Sequence, residues 1–290
     1  MKKKLATDKD FEDIMKPYIT DSRIAKIFDN PIVRRETIGN YNDVLKVHKN
    51  YVDIFKKKIS TYGSNHIIQI SKYLNKKDKI LELAAANGWA SAILRNMEFK
   101  NILVTDINPF DYTGLAGIKH FTTHQMKTRL MSFEDIDLQK NSFDVVFMCS
   151  SLHHSSNVGK VSKHVSRVLK KNGKWFIIGE PVRGLFDSKN KSMEESNADG
   201  FNDNYYYWWH YKREITKAGF SVQVLFPDEL DKILTGKIEG NAAKSYKKVL
   251  LSFFKGIYSF GIGKTFIKWI YPFSLYLIGS HSIIFCEKRK

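Results

Sequence analysis

The chain has 290 residues, 43% of them hydrophobic, and 47 Lys and Arg against 30 Asp and Glu give a formal net charge of +17. That length exceeds the roughly 100 to 200 residues of one ordinary domain, so a domain with additions is expected, and the apolar share is enough for a core. Its two cysteines, Cys149 and Cys286, both fall in expected core strands, which excludes a disulfide framework and gives no metal-ligand spacing.

The opening MKKKLATDKDFED turns acidic and polar with no apolar run behind it, so a secretory leader is not expected and the compartment should be reducing and cytoplasmic. The basic surplus does not by itself imply a nucleic-acid partner, because its distribution decides that. Residues 1–78 show helical spacing and no strand pattern, most clearly over Asn42 to Lys58 and Ser64 to Leu74. They are expected either to cap the ligand edge of a following sheet, with Tyr41, His48 and Tyr51 turned toward it, or to pack on the back of that sheet.

Lys79 to Leu83 alternates apolar residues, a run of small residues follows, and Trp89 to Met97 returns to helical spacing. This is strand, tight turn and helix, the arrangement in which backbone N–H groups and the start of a helix approach a ligand closely. The strand Asn101 to Thr105 then delivers Asp106, 18 residues beyond Gly88, where a carboxylate can accept hydrogen bonds from both hydroxyls of an adenosine ribose.

At KILELAAANG the chain resembles the class I S-adenosylmethionine-dependent methyltransferases, whose first motif reads E-x-G-x-G-x-G. The register places Glu82, Ala84, Ala86 and Gly88 on that motif, so two family glycines are alanine here. Further motifs follow in order. MSFEDIDL occupies the third, with Ser132 where the family usually has Asp and with the N–H of Phe133 or Glu134 beside adenine. NSFDVVFMCSS resembles the fourth, and RVLKKNG resembles the family's R-V-L-K-P-G-G turn, which leads into a strand from Lys174 to Gly179.

The resemblance covers Lys79 to about Phe226 and a final strand, Ser282 to Glu287. It implies a doubly wound, mostly parallel seven-stranded α/β sheet of Rossmann-like form, to which the helical spacing of residues 1–78 adds an N-terminal cap and the long stretch before the last strand, usually a short hairpin in the family, adds a helical insertion. The implied divisions are residues 1–78, 79–226, 227–280 and 281–290. S-adenosyl-L-methionine is the implied cofactor, held by Glu82, Ala84, Ala86, Asn87, Gly88, Asp106, Ile107, Ser132, Phe133 and Ser150.

Chemistry is expected beside the fourth and fifth strands. His153 and His154 follow the fourth, and an imidazole there can take a proton from an attacking hydroxyl. Glu180 follows the fifth and could bind a sugar hydroxyl or act as a base, while Arg183 could meet a phosphate or carboxylate. NDNYYYWWHY precedes a helix expected over Lys212 to Ala218. Its rings could anchor that helix or wall a pocket, with Tyr205, Tyr207 and Trp208 toward substrate and His210 as a base.

From Asp231 to Lys290 there are 11 Lys or Arg against three Asp or Glu. The apolar stretches Val249 to Ile262 and Phe266 to Ile278, interleaved with lysines, suggest an interfacial element over 245–280 at the inner face of a membrane. Plain burial in a helical subdomain is the other reading, and neither stretch reaches the roughly 20 residues of a spanning helix. The expected function is methyl transfer to a small-molecule acceptor, foremost a hydroxyl of a sugar in a cell-surface glycan or lipid-linked intermediate. Quinone or lipid methylation, RNA methylation and non-catalytic binding are the alternatives. Nucleic acid is disfavoured because Cys149-Ser150-Ser151-Leu152 replaces the Pro-Pro-aromatic pattern of amine-directed enzymes.

Overall fold

The computed structural model describes residues 5–46, 51–58, 63–186, 202–237, 254–277 and 280–289. His48, Lys247, Lys248, Val249 to Phe253 and Ile278, to which the sequence pattern gave roles, lie outside them. Seven strands form one sheet: β1 (Ile80–Glu82), β2 (Ile102–Asp106), β3 (Lys127–Leu130), β4 (Phe143–Cys149), β5 (Leu169–Val182), β6 (Phe220–Leu225) and β7 (Ser280–Lys288). Their spatial order is β3-β2-β1-β4-β5-β7-β6. The first five run parallel, and β7 inserts antiparallel between β5 and β6.

Both faces of the sheet are covered, so its strands read as continuous apolar runs whose alternate residues divide between two cores. Leu81, Val146, Met148, Trp175, Ile177 and Ile284 face α7 (Val158–Val168) and α8 (Trp208–Lys217). Ile80, Val104, Val145, Phe147, Phe176 and Ile283 face α5 (Ser64–Ser71) and α6 (Trp89–Asn96). Each such side chain, fully buried, contributes about 1.5 to 3 kcal/mol relative to exposure. β3 escaped the sequence reading because KTRL is a polar edge strand with Lys127 and Thr128 exposed.

The N-terminal helices divide between the two expected positions. α1 (Phe11–Met15), α2 (Ser22–Ile27) and α3 (Pro31–Lys46) bury Phe11, Met15, Ile24, Phe28 and Val33 against Phe110, with Ile107 and Leu130 at the rim. They therefore cover the end of the sheet where β2 and β3 finish. The Asp21 carboxylate caps α2 by accepting the Ile24 N–H at 2.9 Å. α4 (Tyr51–Lys58) follows, and α5 packs on the sheet face instead.

α3 begins eleven residues before the expected helix, at a proline suited to a first helical turn. The helix expected from Lys212 begins at Trp208, because Trp208, Tyr211 and Ile215 form its buried stripe.

Between β6 and β7, α9 (Asp228–Leu234), a helical turn over 254–258 and α10 (Gly261–Leu277) share a small core of Leu234, Tyr258 and Ile267. No helix among the described residues is long and apolar enough to cross a membrane. α10 buries one face and leaves Ile262, Phe266, Trp269, Phe273 and Leu277 exposed at helical spacing on the other. Lys264 and Lys268 do not flank that exposed stripe as free cations. Both pair with Asp231, at 3.3 and 3.1 Å.

Candidate active site

The turn after β1 is left-handed at three alternate positions, with φ of 49° at Ala84, 48° at Ala86 and 69° at Gly88. Alanine adopts this conformation at a cost of roughly 1 to 2 kcal/mol. At Gly88 a Cβ would stand 2.6 Å from Ile118 Cδ1, so a side chain there would have to displace Ile118 as well as bear the left-handed backbone. Asp106, at the end of β2, accepts the Ala86 N–H and the Asn108 N–H, each at 2.7 Å. Burial still wins over those donors and raises its carboxyl to about 6. Asn87 donates to the Tyr112 carbonyl at 2.9 Å, while its buried Oδ1 has no partner. Glu82 lies fully buried beneath the turn, and desolvation lifts it to about 8.

A cavity of about 160 Å³ opens above this turn. Seven of the residues expected from the sequence line it: Ala84, Ala86, Asp106, Ile107, Phe133, Ser150 and His154. Glu36 and Asn40 join them from α3, one turn apart on a single helix face. The N-terminal helices thus contribute side chains to the site, which their apolar spacing did not announce. Glu36 accepts the Asn202 N–H at 3.2 Å, and burial raises its carboxyl to about 7. Ser132 instead lines a neighbouring cavity, with its hydroxyl accepting the Glu134 N–H at 3.2 Å.

Behind the cavity lies a buried polar network. A bulge at Gly179 in β5 turns Glu180 inward, where it accepts the Tyr211 hydroxyl at 2.8 Å and the Leu152 N–H at 3.2 Å. The same carboxylate meets His153 Nδ1 at 3.1 Å. Burial opposes the charge on Glu180, but His153 and Tyr211 overcome it and hold the carboxyl below its ordinary value. Glu180 is fully buried and lines neither cavity, and its carboxylate meets His153 instead.

His154 Nδ1 lies 2.7 Å from Asp203 Oδ1. Desolvation works against its protonation, yet the contact and charge of Asp203 raise its pKa, with further help from Glu36 and Glu180. Asp203 was missed in the sequence because it sits inside an aromatic run, between two asparagines that fasten it. Asn202 Nδ2 donates to the His154 carbonyl at 2.8 Å, and Asn204 N–H donates to the His153 carbonyl at 2.9 Å.

The remaining expected residues are placed elsewhere. His210 stacks on Tyr206 with ring centroids 4.6 Å apart and lines neither cavity, and its pKa is lowered by partial burial and by Arg213. Trp208 is buried in the main core. Tyr207 stacks between Trp209, at 4.1 Å, and the Arg183 guanidinium, at 4.8 Å. Tyr205 is half-buried on the same segment.

Residues 81–177 match the family model described as a methyltransferase domain. Over that third of its length the chain is similar to a methyltransferase domain. The cofactor supported by this match is S-adenosylmethionine. RP459 of Rickettsia prowazekii (strain Madrid E), named as a methyltransferase, is 26% identical over 151 residues, covering 49% of this chain and 62% of that protein. The chain thus spans less than two thirds of that relative.

Among solved structures, phosphoethanolamine N-methyltransferase 2 of Haemonchus contortus has a TM-score of 0.53 at 16% identity, covering 79% of this chain and 52% of that one. Geranyl diphosphate C-methyltransferase of Streptomyces coelicolor A3(2) gives 0.52 at 14% identity, covering 84% and 85%. At these identities the likeness is one of fold.

Proposed function

We propose that this methyltransferase transfers a methyl group to a hydroxyl of a small-molecule acceptor, foremost a sugar in a cell-surface glycan or a lipid-linked intermediate. The observation that carries this reading is a single cavity holding His154, backed by Asp203 at 2.7 Å, together with Asp106 and the Ala84 to Gly88 turn. When bound, S-adenosylmethionine supplies a methyl group on a sulfonium that needs only an aligned nucleophile. Asp106 is the ribose ligand, Ala84 and Ala86 line the backbone approach, and the buried Oδ1 of Asn87 offers a further acceptor.

His154 takes the hydroxyl proton as the acceptor oxygen bonds to carbon, and Asp203 stabilises the resulting imidazolium. Holding the reacting atoms in line accounts for much of the roughly 7 to 11 kcal/mol available from positioning. Glu36 and Asn40 bring α3 to the wall of this cavity, which at about 160 Å³ is smaller than the roughly 300 to 1,000 Å³ of usual ligand sites.

The exposed stripe of α10 supports a lipid-borne acceptor, presented at an anionic membrane surface that suits a chain of net charge +17. The assignment is tested by isothermal titration with S-adenosylmethionine and S-adenosylhomocysteine. Micromolar binding that is lost in Asp106→Ala is expected. Equal binding by the variant would move the cofactor site elsewhere.

A further inference from the structure

We propose that His153, His154 and Asp203 form a binding site for a divalent transition-metal ion, open on one side to the cavity. His153 Nε2 and His154 Nδ1 lie 3.8 and 2.7 Å from the same Asp203 oxygen, and one donor atom from each residue falls within 4.8 Å of the other two. Metal bonds of roughly 2.0 to 2.2 Å place donors about 3.4 Å apart in tetrahedral geometry. The three side chains therefore need only small rotations, the 2.7 Å contact opening and the 3.8 Å contact closing.

The surroundings are those of a built site. His153 turns Nε2 toward Asp203 because its other ring nitrogen meets Glu180, which Tyr211 and Leu152 fix in turn. A carboxylate behind a ligating imidazole is the usual outer shell of a metal site. Asp203 is held independently, by the bonds from Asn202 and Asn204 to the carbonyls of His154 and His153. Two carboxylates, Glu180 and Asp203, meet the two imidazoles, a setting that favours a cation.

Two imidazole nitrogens and one carboxylate oxygen suit Zn²⁺, Mn²⁺, Fe²⁺ or Co²⁺ better than the all-oxygen preference of Mg²⁺ or Ca²⁺. Because His154 lines the cavity, the remaining coordination positions face the space above Asp106. An acceptor with two adjacent oxygens, such as a vicinal diol, can chelate the ion there, and coordination acidifies the hydroxyl to be methylated, so that in the metal-bound state its proton leaves to solvent in place of transfer to His154, whose Nδ1 then holds the ion. That last step rests on the proposed methyl transfer, whereas the metal site itself does not.

The intact protein, stripped with EDTA, is titrated with Co²⁺ and Zn²⁺, following the visible Co²⁺ absorption and the metal content after gel filtration. One ion per chain is expected, with affinity reduced at least ten-fold in His153→Gln and Asp203→Asn, reduced to a smaller extent in Glu180→Gln, and retained in His164→Ala. These near-isosteric changes keep the fold, which circular dichroism checks. Absence of the Co²⁺ band, or equal uptake by all variants, overturns the site. S-adenosylhomocysteine binding in EDTA without metal uptake would sink the metal and leave the cofactor assignment standing. Metal uptake without cofactor binding would do the reverse.

Discussion

Ala84 and Ala86 stand at φ of 49° and 48°, where glycine is the unstrained residue. Both alanines line the cavity proposed for the cofactor. Each alanine stores about 1 kcal/mol of backbone strain or more, and replacing it with glycine releases that while freeing space against the turn. The gain is partly offset because glycine loses more entropy on folding. The double change Ala84→Gly with Ala86→Gly should tighten S-adenosylhomocysteine about ten-fold, or about 1.4 kcal/mol, without lowering the melting temperature. Calorimetry and a thermal melt check this, and weaker binding would mean that the methyl groups are themselves cofactor contacts.

Individual elements differ in how openly the sequence declares them. β1, β2, β4 and β7 were legible because burial on both faces makes each a continuous apolar run. β3 was not, since an edge strand of polar residues has no such run. The aromatic run that opens α8 left anchoring and pocket lining both open because its rings serve separate ends: Trp208 and Tyr211 fill the core, and Tyr207 and Trp209 stack outside it. In α10 the sequence showed amphipathic composition but not which cations were committed, and Lys264 and Lys268 turn inward to Asp231.

What α10 presents outward is therefore apolar, with Phe266, Trp269 and Phe273 in ring contact along one face. Withdrawing one such ring from water is worth roughly 1.5 to 3 kcal/mol. Trp269→Ser with Phe273→Ser should reduce co-sedimentation with phosphatidylglycerol vesicles at least ten-fold, and neutral phosphatidylcholine vesicles should bind the parent chain less. Unaltered sedimentation of the double variant would remove the membrane from the proposal.

At the scale of the whole molecule, the site joins five stretches far apart in sequence: the turn after β1, the end of β2, the end of β4, α3, and residues 202–204. The first three carry local motifs, so Asp106, Ser150 and His154 could be placed from the sequence. Glu36 and Asp203 could not, because their role depends on which helix crosses the sheet end and which loop returns to it.

One consequence of the assembled core is electrostatic. Glu82 sits in the middle of the sheet with its carboxyl raised to about 8 from an ordinary 4.5. The folded chain therefore holds a proton there that the unfolded chain releases, and the associated stability is fully present below pH 4.5 and is lost as pH rises through about 8. Glu82→Gln keeps the shape and removes the ionisation. Thermal melts across that window should show the parent losing stability with rising pH and the variant losing less, so that the two curves converge toward the acidic end. Parallel curves would show that Glu82 is ionised in the folded protein throughout and that its burial is compensated by a neighbour.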